Sequence, residues 1–282
     1  MGERPLAVLT SRVRVEEKLI LAAIERRGVP YEQVDTRRFA FRVDRPELPW
    51  RGALSREISH TRNVYLTRVL EYAGVPVVNS AHIVGLCGDK LLTTLALRAA
   101  GIPTPRALVT LDPETALDHL DDLGYPVVTK PVIGSWGRLG ARLHNREQAE
   151  TVFEHRAALP NLHHRIAYVQ EYVDKPDRDI KAYVFGGEPV GAIYKTSTEW
   201  RTNTARGGRP LVCPLTDDLT KLLTATAAVI GDGILGIDVL EDRAGALYVN
   251  EINHTPEFHG AIEVLDVDLV GAYVDYVLDR LR

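Results

Sequence analysis

The first 85 residues alternate between short apolar runs and longer stretches in which apolar positions recur every three or four residues. The short runs are typical of buried strands, and the longer stretches are typical of amphipathic helices. Strands are predicted at residues 5–10, 29–35 and 75–80, and helices at residues 14–28 and 59–74. Because alternating strands and helices form parallel sheets covered by helices, residues 1–85 are predicted to be an α/β domain.

The next 80 residues, 86–165, show a different order of elements. A helix is predicted to end at Gly101, and Asp112 is placed as the N-cap of another. The predicted strands are residues 106–111, 125–132 and 141–145, and the predicted helices after Gly101 are residues 112–124 and 146–159. A glycine-rich loop separates the last two strands, so this segment is predicted to be a small α+β domain.

The last third, residues 166–282, is predicted to be mainly β structure closed by helices. Residues 179–197 alternate around Gly186-Gly187, which predicts a β-hairpin. The other predicted strands are residues 167–174, 234–242 and 245–253, and the predicted helices are residues 217–231 and 269–282. The whole chain therefore combines an α/β segment with α+β segments.

Composition narrows the functional class of this 282-residue chain. Apolar residues make up 45% and charged residues 26%, as in an ordinary soluble protein. A net charge of -4 and a pI near 6.2 disfavour general nucleic-acid binding. The first apolar run is too short for a signal peptide and no apolar stretch is long enough for a spanning helix, so a cytoplasmic protein is expected. Cys87 and Cys213 are expected to be reduced thiols.

Residues 231–236, GDGILG, carry the glycine spacing of a dinucleotide-binding fingerprint. That fingerprint requires a strand before it and a helix after it. Here a predicted helix precedes the motif and a predicted strand follows, so the motif is interpreted as a helix-to-strand turn. A dinucleotide oxidoreductase is disfavoured for the same reason.

Residues 130–140, KPVIGSWGRLG, place Lys130 at the end of an apolar strand and three glycines in the following loop. Such a loop can fold over phosphates with its backbone N–H groups, with lysine as a point charge. The alternative is a simple hairpin turn. A second polar loop, RTNTARGG at residues 201–208, is either an anion-binding loop around Arg206 or a solvated loop.

Three oxygen-bearing side chains fall on two predicted neighbouring strands. Asp238 interrupts an apolar run, and Glu251 and Asn253 lie two positions apart on the next strand, so they share one face. Two carboxylates and an amide suit Mg²⁺, which binds through oxygen ligands together with substrate phosphates. The alternative is a polar sheet face that water covers.

The ordered set of these motifs resembles the ATP-grasp superfamily. The set comprises Lys90 in GDK, Lys130 in VVTKP, the loop GSWGR, and then VQEYV, DRDIKAYVFG, NTARGG, GIDV and VNEIN. Within the superfamily the chain is similar to the branch of LysX, ArgX and RimK ligases, and GSWGR with NTARGG is most similar to the LysX type. The resemblance covers essentially the whole chain and implies an ATP-grasp fold preceded by an N-terminal parallel α/β (pre-ATP-grasp) domain.

The resemblance also implies roles for individual positions. The implied ATP contacts are Lys90, Lys130, the phosphate loop Gly134, Ser135, Trp136, Gly137 and Arg138, the adenine hinge Glu171, Tyr172 and Val173, Asp179 near the ribose, and Arg201 and Asn203. Asp238, Glu251 and Asn253 would hold two Mg²⁺. Arg206 and Asn203 are the implied catalytic residues, facing the reacting phosphate and acyl oxygen. The implied substrate contacts are Lys195, Thr204, Ala205, His254, Thr255, Pro256, Glu257 and Phe258.

Two departures from the LysX pattern and one difference from the ArgX pattern concern the amino-acid substrate. Lys195 stands where LysX-type chains usually have arginine, so the charge is kept but the bidentate fork is lost. Pro256 lies inside the substrate segment. ArgX relatives carry a Gly-Phe pair shortly after that segment, whereas Gly260-Ala261 stands here. The absence of the Gly-Phe pair favours 2-aminoadipate or a related amino acid over glutamate.

The resemblance implies an ATP-dependent ligase of lysine or related amino-acid biosynthesis. It would join the amino acid's α-amino group, through an acyl phosphate, to the C-terminal glutamate side chain of a small acidic LysW-type carrier protein. The alternatives are an ArgX-type glutamate–carrier ligase and a RimK-like protein glutamate ligase. A homo-oligomer without nucleic-acid or membrane partners is expected. Arg51, Arg56 and Arg62 are candidate docking positions for the carrier, with a solvated surface as the alternative.

Overall fold

The structure is a computed structural model that describes residues 4–134, 137–196 and 209–282. The strands are β1 (Leu6–Thr10), β2 (Tyr31–Asp35), β3 (Gly52–Ser55), β4 (Val77–Val78), β5 (Ala107–Thr110), β6 (Val127–Lys130), β7 (Ala141–Leu143), β8 (Ala167–Glu171), β9 (Arg178–Phe185), β10 (Glu188–Thr196), β11 (Arg209–Cys213), β12 (Ile234–Glu241) and β13 (Leu247–Asn253). The helices are α1 (Val15–Arg26), α2 (His60–Tyr72), α3 (Ala81–Cys87), α4 (Lys90–Ala99), α5 (Pro113–Leu123), α6 (Arg146–Ala157), α7 (Leu162–Arg165), α8 (Asp217–Ile230), α9 (His259–Ile262) and α10 (Leu269–Arg280).

The first sheet has the strand order β2-β1-β3-β4, and all its pairs are parallel, as the sequence predicted. The sequence missed β3, although this strand lies inside the sheet and is buried along its whole length. Four residues are too short a run to show a period of their own. The carboxyl ends of β1 and β3 open toward the rest of the molecule, where ligands bind in open α/β sheets.

The second and third sheets are antiparallel. The second has the order β5-β8-β6-β7, and the third has the order β11-β10-β9-β12-β13. The sequence predicted a segment boundary at residue 165; β8 follows that boundary and hydrogen-bonds to β5 and β6 of the second sheet. The hairpin β9–β10 around Gly186-Gly187 and the helix-to-strand turn after α8 are both found as predicted.

One predicted helix is divided in two. The stretch that the sequence predicted to end as a helix at Gly101 contains α3 and α4, with Gly88 and Asp89 between them. The Asp89 carboxylate accepts hydrogen bonds from the backbone N–H groups of Leu91 and Leu92, so it caps a new helix. This restart places Lys90 on the first turn of α4.

One apolar core joins the first sheet to the third, and the second sheet has a core of its own. One apolar cluster contains Leu6 and Leu54 of the first sheet together with Tyr183 and Ile193 of the third, so these two sheets share a core with α10. The second sheet has its own cluster around Phe153 of α6, with α5 and α6 packed against each other. The shared core fixes the first sheet against the third. No helix in the described ranges is both long and apolar enough to cross a membrane.

A buried ion pair lies between the first sheet and helix α1. The Arg56 side chain is fully buried, and its Nε atom donates to Glu17 Oε1 at 2.8 Å. Arg14 also pairs with Glu17, at 2.9 Å. This corrects the prediction that Arg56 is a surface position for an acidic carrier. Arg62, by contrast, keeps about half of its side chain exposed, at 49%.

Acid should weaken the fold through Glu17. Burial alone would raise the pKa of this carboxyl, but Arg14 and Arg56 lower it from 4.5 to about 2. Because the pKa of Glu17 is lower in the folded than in the unfolded protein, its full contribution to stability is present above about pH 4.5. The free energy of unfolding should fall by about 3 kcal/mol in total as the pH falls from there toward 2. Urea unfolding of the wild type and of Glu17→Gln between pH 6 and pH 2.5 measures this free energy. The variant should be less stable at pH 6, and the difference should shrink as the pH falls. A difference that does not vary with pH would contradict the assignment.

Candidate active site

A first cleft separates the second sheet from the third. Val128, Lys130 and Gln170 of β6 and β8 form one wall, and Asn250 and Glu251 of β13 lie on the other. Leu240 of β12 adds an apolar surface. The predicted ATP contacts that line this cleft are Lys90, Lys130, Gly134, Gly137, Arg138, Glu171, Tyr172, Val173 and Asp179.

Lys130 bridges the two walls of the first cleft. Its Nζ atom donates to Gln170 Oε1 at 2.7 Å and to Asn250 Oδ1 at 2.8 Å. Burial lowers the pKa of Lys130 to about 8, although Glu251 acts against this shift. The ammonium group of Lys130 therefore lies between two neutral amides. An anionic phosphate would be its natural counterion.

Lys90 connects the first cleft to the glycine-rich loop. Its Nζ atom donates to the carbonyl oxygen of Gly134 at 2.7 Å and lies 3.4 Å from Glu251 Oε1. Its backbone N–H donates to Val132 at 2.9 Å. The start of α4 is thereby tied to the strand end that leads into the loop, so the loop and the lysine keep a fixed relation.

The predicted adenine hinge is formed by the end of β8. The Glu171 carboxylate accepts hydrogen bonds from the backbone N–H and Nε of Arg106, at 2.7 and 2.6 Å. The backbone N–H of Tyr172 donates to Pro126. These contacts tie the end of β8 to Arg106 and Pro126 and so hold the hinge in place. Farther along, Asp179 is ion-paired with Lys175.

Asp238, Glu251 and Asn253 lie together as the sequence predicted from strand spacing. Asp238 is paired in register with Glu251 across β12 and β13, and Asn253 Nδ2 donates to Asp238 Oδ2 at 2.8 Å. Within the described ranges no cluster of three His, Cys, Asp or Glu side chains is placed to hold a metal. The set is therefore two carboxylates and an amide, which are oxygen ligands that fit a hard cation completed by water and phosphate oxygens.

Two lysines compensate the charge of Asp238. Lys195 Nζ lies 2.5 Å from Asp238 Oδ1, and Lys181 Nζ lies 3.5 Å from Oδ2. Burial alone would raise the pKa of Asp238, but these cations lower it to about 2. Asp238 is thus a carboxylate at any physiological pH. Lys195 was predicted from the sequence, whereas Lys181 was missed because a lysine in an alternating strand is an ordinary solvent-facing residue.

A second cleft continues from the first. The two share Lys90, Gly134, Gly137 and Glu251, so one ligand can reach the other across this shared edge. The second cleft lies between the carboxyl ends of the first sheet and the face of the third. Its other lining residues include Arg14, Glu57, His60, Lys181, Tyr183, Lys195, Asp238, Asn253, His254, Thr255, Glu257 and His259.

The predicted substrate segment after β13 divides between cleft and core. His254, Thr255 and Glu257 line the second cleft, whereas Phe258 is 1% exposed and packs against Tyr273 in the shared core. The side chain of Phe258 therefore supports the segment from behind and does not reach the cleft. Burial and the nearby His60 and Arg56 lower the pKa of His254 to about 3, so its ring is neutral at physiological pH.

Asn79 anchors the end of the strand pair β12–β13 at which β12 begins and β13 ends. Its Nδ2 atom donates to the carbonyl oxygens of Ile234 at 2.8 Å and His254 at 2.7 Å, and its Oδ1 atom accepts from Ile234 N–H at 2.7 Å. A side chain at Gly233 would place Cβ 2.5 Å from Asn79 Oδ1, so glycine is required there. The first sheet thus fixes where β12 begins and where β13 ends.

Several predicted residues lie outside the described residues, and their roles stay predictions. They are Ser135, Trp136, Arg201, Asn203, Thr204, Ala205 and Arg206. Several other residues line the clefts but were not predicted from the sequence. These are Arg14, Glu57, His60, Gln170, Lys175, Lys181, Tyr183, Asn250 and His259. Gln170 and Asn250 had one detectable signal, since each is a polar residue beside a predicted ligand-bearing position.

The geometry specifies a class of enzyme. A cleft with fixed cations and a glycine-rich edge adjoins, across Lys90 and Glu251, a second polar cleft that Asp238 and Asn253 line. Such a pair of clefts suits phosphoryl transfer from a nucleotide in one cleft to a substrate in the other.

Comparison with known proteins agrees with this geometry. The LysX preATP-grasp domain family matches residues 6–86, and the RimK-like ATP-grasp domain family matches residues 87–277. Glutamate–LysW ligase ArgX from Sulfolobus acidocaldarius is 34% identical over 274 residues, which cover 96% of this chain and 97% of ArgX. Alpha-aminoadipate–LysW ligase LysX from the same organism is 33% identical over 275 residues, which cover 96% of this chain and 98% of LysX.

Solved structures show the same fold. A RimK domain ATP-grasp protein from Sphaerobacter thermophilus is 26% identical with a TM-score of 0.80, and the match covers 96% of this chain and 98% of that one. The ATP-grasp ligase PsnB, complexed with a phosphomimetic variant of its minimal precursor, Mg and ADP, has a TM-score of 0.76 at 19% identity over 100% of both chains. At that identity the second likeness shows the fold alone.

The fold and the two clefts define an ATP-grasp ligase, a class of enzymes that uses ATP and Mg²⁺. The chain belongs to the RimK-like ATP-grasp family, in the group that contains the LysX and ArgX ligases. The resemblance inferred from the sequence motifs is therefore confirmed, as is the expected ATP-grasp fold with its pre-ATP-grasp domain.

Proposed function

We propose that this ligase joins the α-amino group of 2-aminoadipate, or of a related amino acid, to the C-terminal glutamate side chain of a small acidic LysW-type carrier protein. The joined clefts carry the proposal, because the two reacting substrates must meet beside one nucleotide. Relatives of both specificities, LysX and ArgX, are similar to the chain at nearly equal identity. That equality keeps glutamate as the alternative amino acid, with a RimK-like protein glutamate ligase as a more distant one.

The proposed reaction has two steps. A carboxylate oxygen of the carrier's glutamate attacks the γ-phosphorus of ATP, which forms an acyl phosphate and releases ADP. The amino group of the second substrate then attacks the acyl carbon, which forms the amide, releases phosphate and leaves one proton to solvent. Positioning and charge stabilisation are the protein's contribution to both steps.

The described residues divide this work between the clefts. Lys90 and Lys130 would hold nucleotide phosphates in the first cleft, where both already contact the walls that would enclose them. Lys195 would attract the carboxylate of the amino acid in the second cleft, although part of its charge is already paired with Asp238. His254, Thr255 and Glu257 would line the amino-acid site, whereas Pro256, also predicted there, is buried and lines neither cleft.

We also propose that Asp238, Glu251 and Asn253 hold Mg²⁺, two ions in the full complex. The three residues share one sheet face, where Glu251 lines both clefts and Asp238 and Asn253 line the second. When bound, the metal would neutralise charge on phosphate oxygens.

We further propose that the chain is divided into three domains, which span residues 1–85, 86–165 and 166–282. We also propose that the protein assembles as a homo-oligomer.

Mass spectrometry of the carrier tests the proposed function directly. The protein is incubated with ATP, Mg²⁺, a LysW-type carrier and either 2-aminoadipate or glutamate. We expect the carrier to gain the mass of 2-aminoadipate less one water, and only when ATP is present. A carrier that gains glutamate alone would establish the ArgX-type alternative. An unmodified carrier in every reaction would contradict both assignments.

A further inference from the structure

Side chains from the N-terminal part of the chain hydrogen-bond to the segment that follows β13 and lines the second cleft. The residues of the segment that line this cleft are His254, Thr255, Glu257 and His259. The segment follows directly on the strand that carries Glu251 and Asn253. Helix α1 and the end of β3, both of the first sheet's domain, contact the backbone of residues 256–259. These contacts join positions about 200 to 243 residues apart.

Glu16 of α1 makes the densest of these contacts. Its Oε1 atom accepts from the backbone N–H of Phe258 at 3.2 Å, from the backbone N–H of His259 at 3.3 Å and from His259 Nδ1 at 2.6 Å. The Glu16 side chain is 3% exposed and lines neither cleft. Its carboxylate is therefore committed to the backbone and ring of the cleft segment.

Helix α9 explains why this contact is needed. The helix begins at His259, and its N-cap, Phe258, makes no side-chain capping hydrogen bond. The first N–H groups of a helix have no partner inside the helix and are costly to bury alone. Glu16, which lies 242 positions away from Phe258, supplies the missing acceptor, so a residue of the first domain acts as the cap.

The remaining backbone groups of the segment are also held. Arg56 Nη1 donates to the carbonyl oxygen of Pro256 at 3.1 Å, and the Tyr183 hydroxyl donates to that of Glu257 at 3.1 Å. Arg14 pairs with the Glu257 carboxylate at 2.7 Å. The segment thus has fixed points at four consecutive residues, 256–259, which leave it little freedom to change the shape of the cleft.

We propose that Glu16 is a positioning residue for the amino-acid site: by capping residues 258 and 259 it sets how residues 254–257 face the second cleft. Arg56 does the same from the side of Pro256. The first domain therefore shapes amino-acid binding through the backbone, without touching the amino acid. This inference rests on the proposed function for its kinetic readout, but the structural effect can be measured without turnover.

Steady-state ligation by Glu16 variants tests the inference. Glu16→Ala should raise KM for 2-aminoadipate about tenfold, because two backbone donors and one ring donor lose their acceptor, and leave KM for ATP within about twofold. Glu16→Gln keeps a carbonyl oxygen at the same reach and should restore most of the wild-type KM. Glu16→Asp keeps the charge, but its side chain is one methylene shorter, so its KM for 2-aminoadipate should rise as in Glu16→Ala. If Glu16→Ala does not fold, Glu16→Asp is used in its place.

A matched control and a second measurement separate positioning from general damage. Arg27, which directly follows α1, pairs with Asp275 of α10 at 2.7 Å, and neither residue lines either cleft, so Asp275→Asn should change neither KM. Hydrogen–deuterium exchange of the free protein should show faster exchange at residues 258 and 259 in Glu16→Ala and not in Asp275→Asn. An unchanged KM for the amino acid, or an equal rise in both KM values, would overturn the inference. If the wild type forms no adduct, the proposed function fails and the exchange data decide alone: unchanged exchange overturns the positioning role.

Discussion

Asp238→Asn is expected to lower ADP release and amide formation by roughly 10²- to 10³-fold while the protein remains folded. The asparagine has the same shape and keeps one oxygen, but it loses the charge that pairs with Lys181 and Lys195 and that would bind the metal. Because Asp238 lies on the face shared with Glu251 and Asn253, the loss acts where phosphate oxygens would be neutralised.

Coupled-enzyme measurement of ADP and circular dichroism of both proteins check this expectation. Glu241 is the matched control, because it lies three positions further along β12 and is ion-paired with Arg178 at 2.8 Å, outside both clefts. Glu241→Gln should keep turnover within about twofold of the wild type. Full turnover by Asp238→Asn at saturating Mg²⁺ would refute the proposed ligand set.

Lys130→Met is expected to reduce kcat/KM for ATP by about 100-fold or more. Methionine has nearly the length of lysine but carries no charge, and it leaves Gln170 Oε1 and Asn250 Oδ1 without their donor. The bridge between the two walls of the first cleft is then broken as well. Both losses weaken binding of the nucleotide phosphates.

Calorimetric titration with a non-hydrolysable ATP analogue measures the binding part of this effect, and steady-state kinetics measures the rest. Lys221 on α8 is exposed, so Lys221→Met controls for the change in net charge. It should bind the analogue like the wild type. If Lys130→Met also binds and turns over normally, Lys130 is a structural bridge and has no part in the nucleotide site.

The sequence predicted the placement of Asp238, Glu251 and Asn253 correctly because the two-residue period of a strand decides which way a side chain faces. Glu251 and Asn253 face the same way because a strand has a period of two, and the structure pairs Asp238 with Glu251 across neighbouring strands. The loop after Lys130 and the hinge at residues 171–173 line the predicted cleft for the same reason, since each directly follows a recognisable strand.

The predictions failed where burial depends on distant partners. Arg56 was expected on the surface, yet Glu17 and the carbonyl of Pro256 draw it into the core. Phe258 was expected at the substrate, yet Tyr273 packs against its ring in the core. Neither partner is near in sequence, so no local pattern could indicate the contact.

The sequence by itself determined most of the order of elements, the placement of Asp238, Glu251 and Asn253 on neighbouring strands, and the family, because strand period, capping and motif spacing are local properties. Only the tertiary structure decided that two clefts meet at Lys90 and Glu251 and that Glu16 caps the segment beyond β13. The physical reason is that a hydrogen bond forms wherever a buried donor and acceptor are brought together. For residues 242 positions apart, the packing of the first sheet against the third brings them together, and the sequence near either residue carries no sign of it.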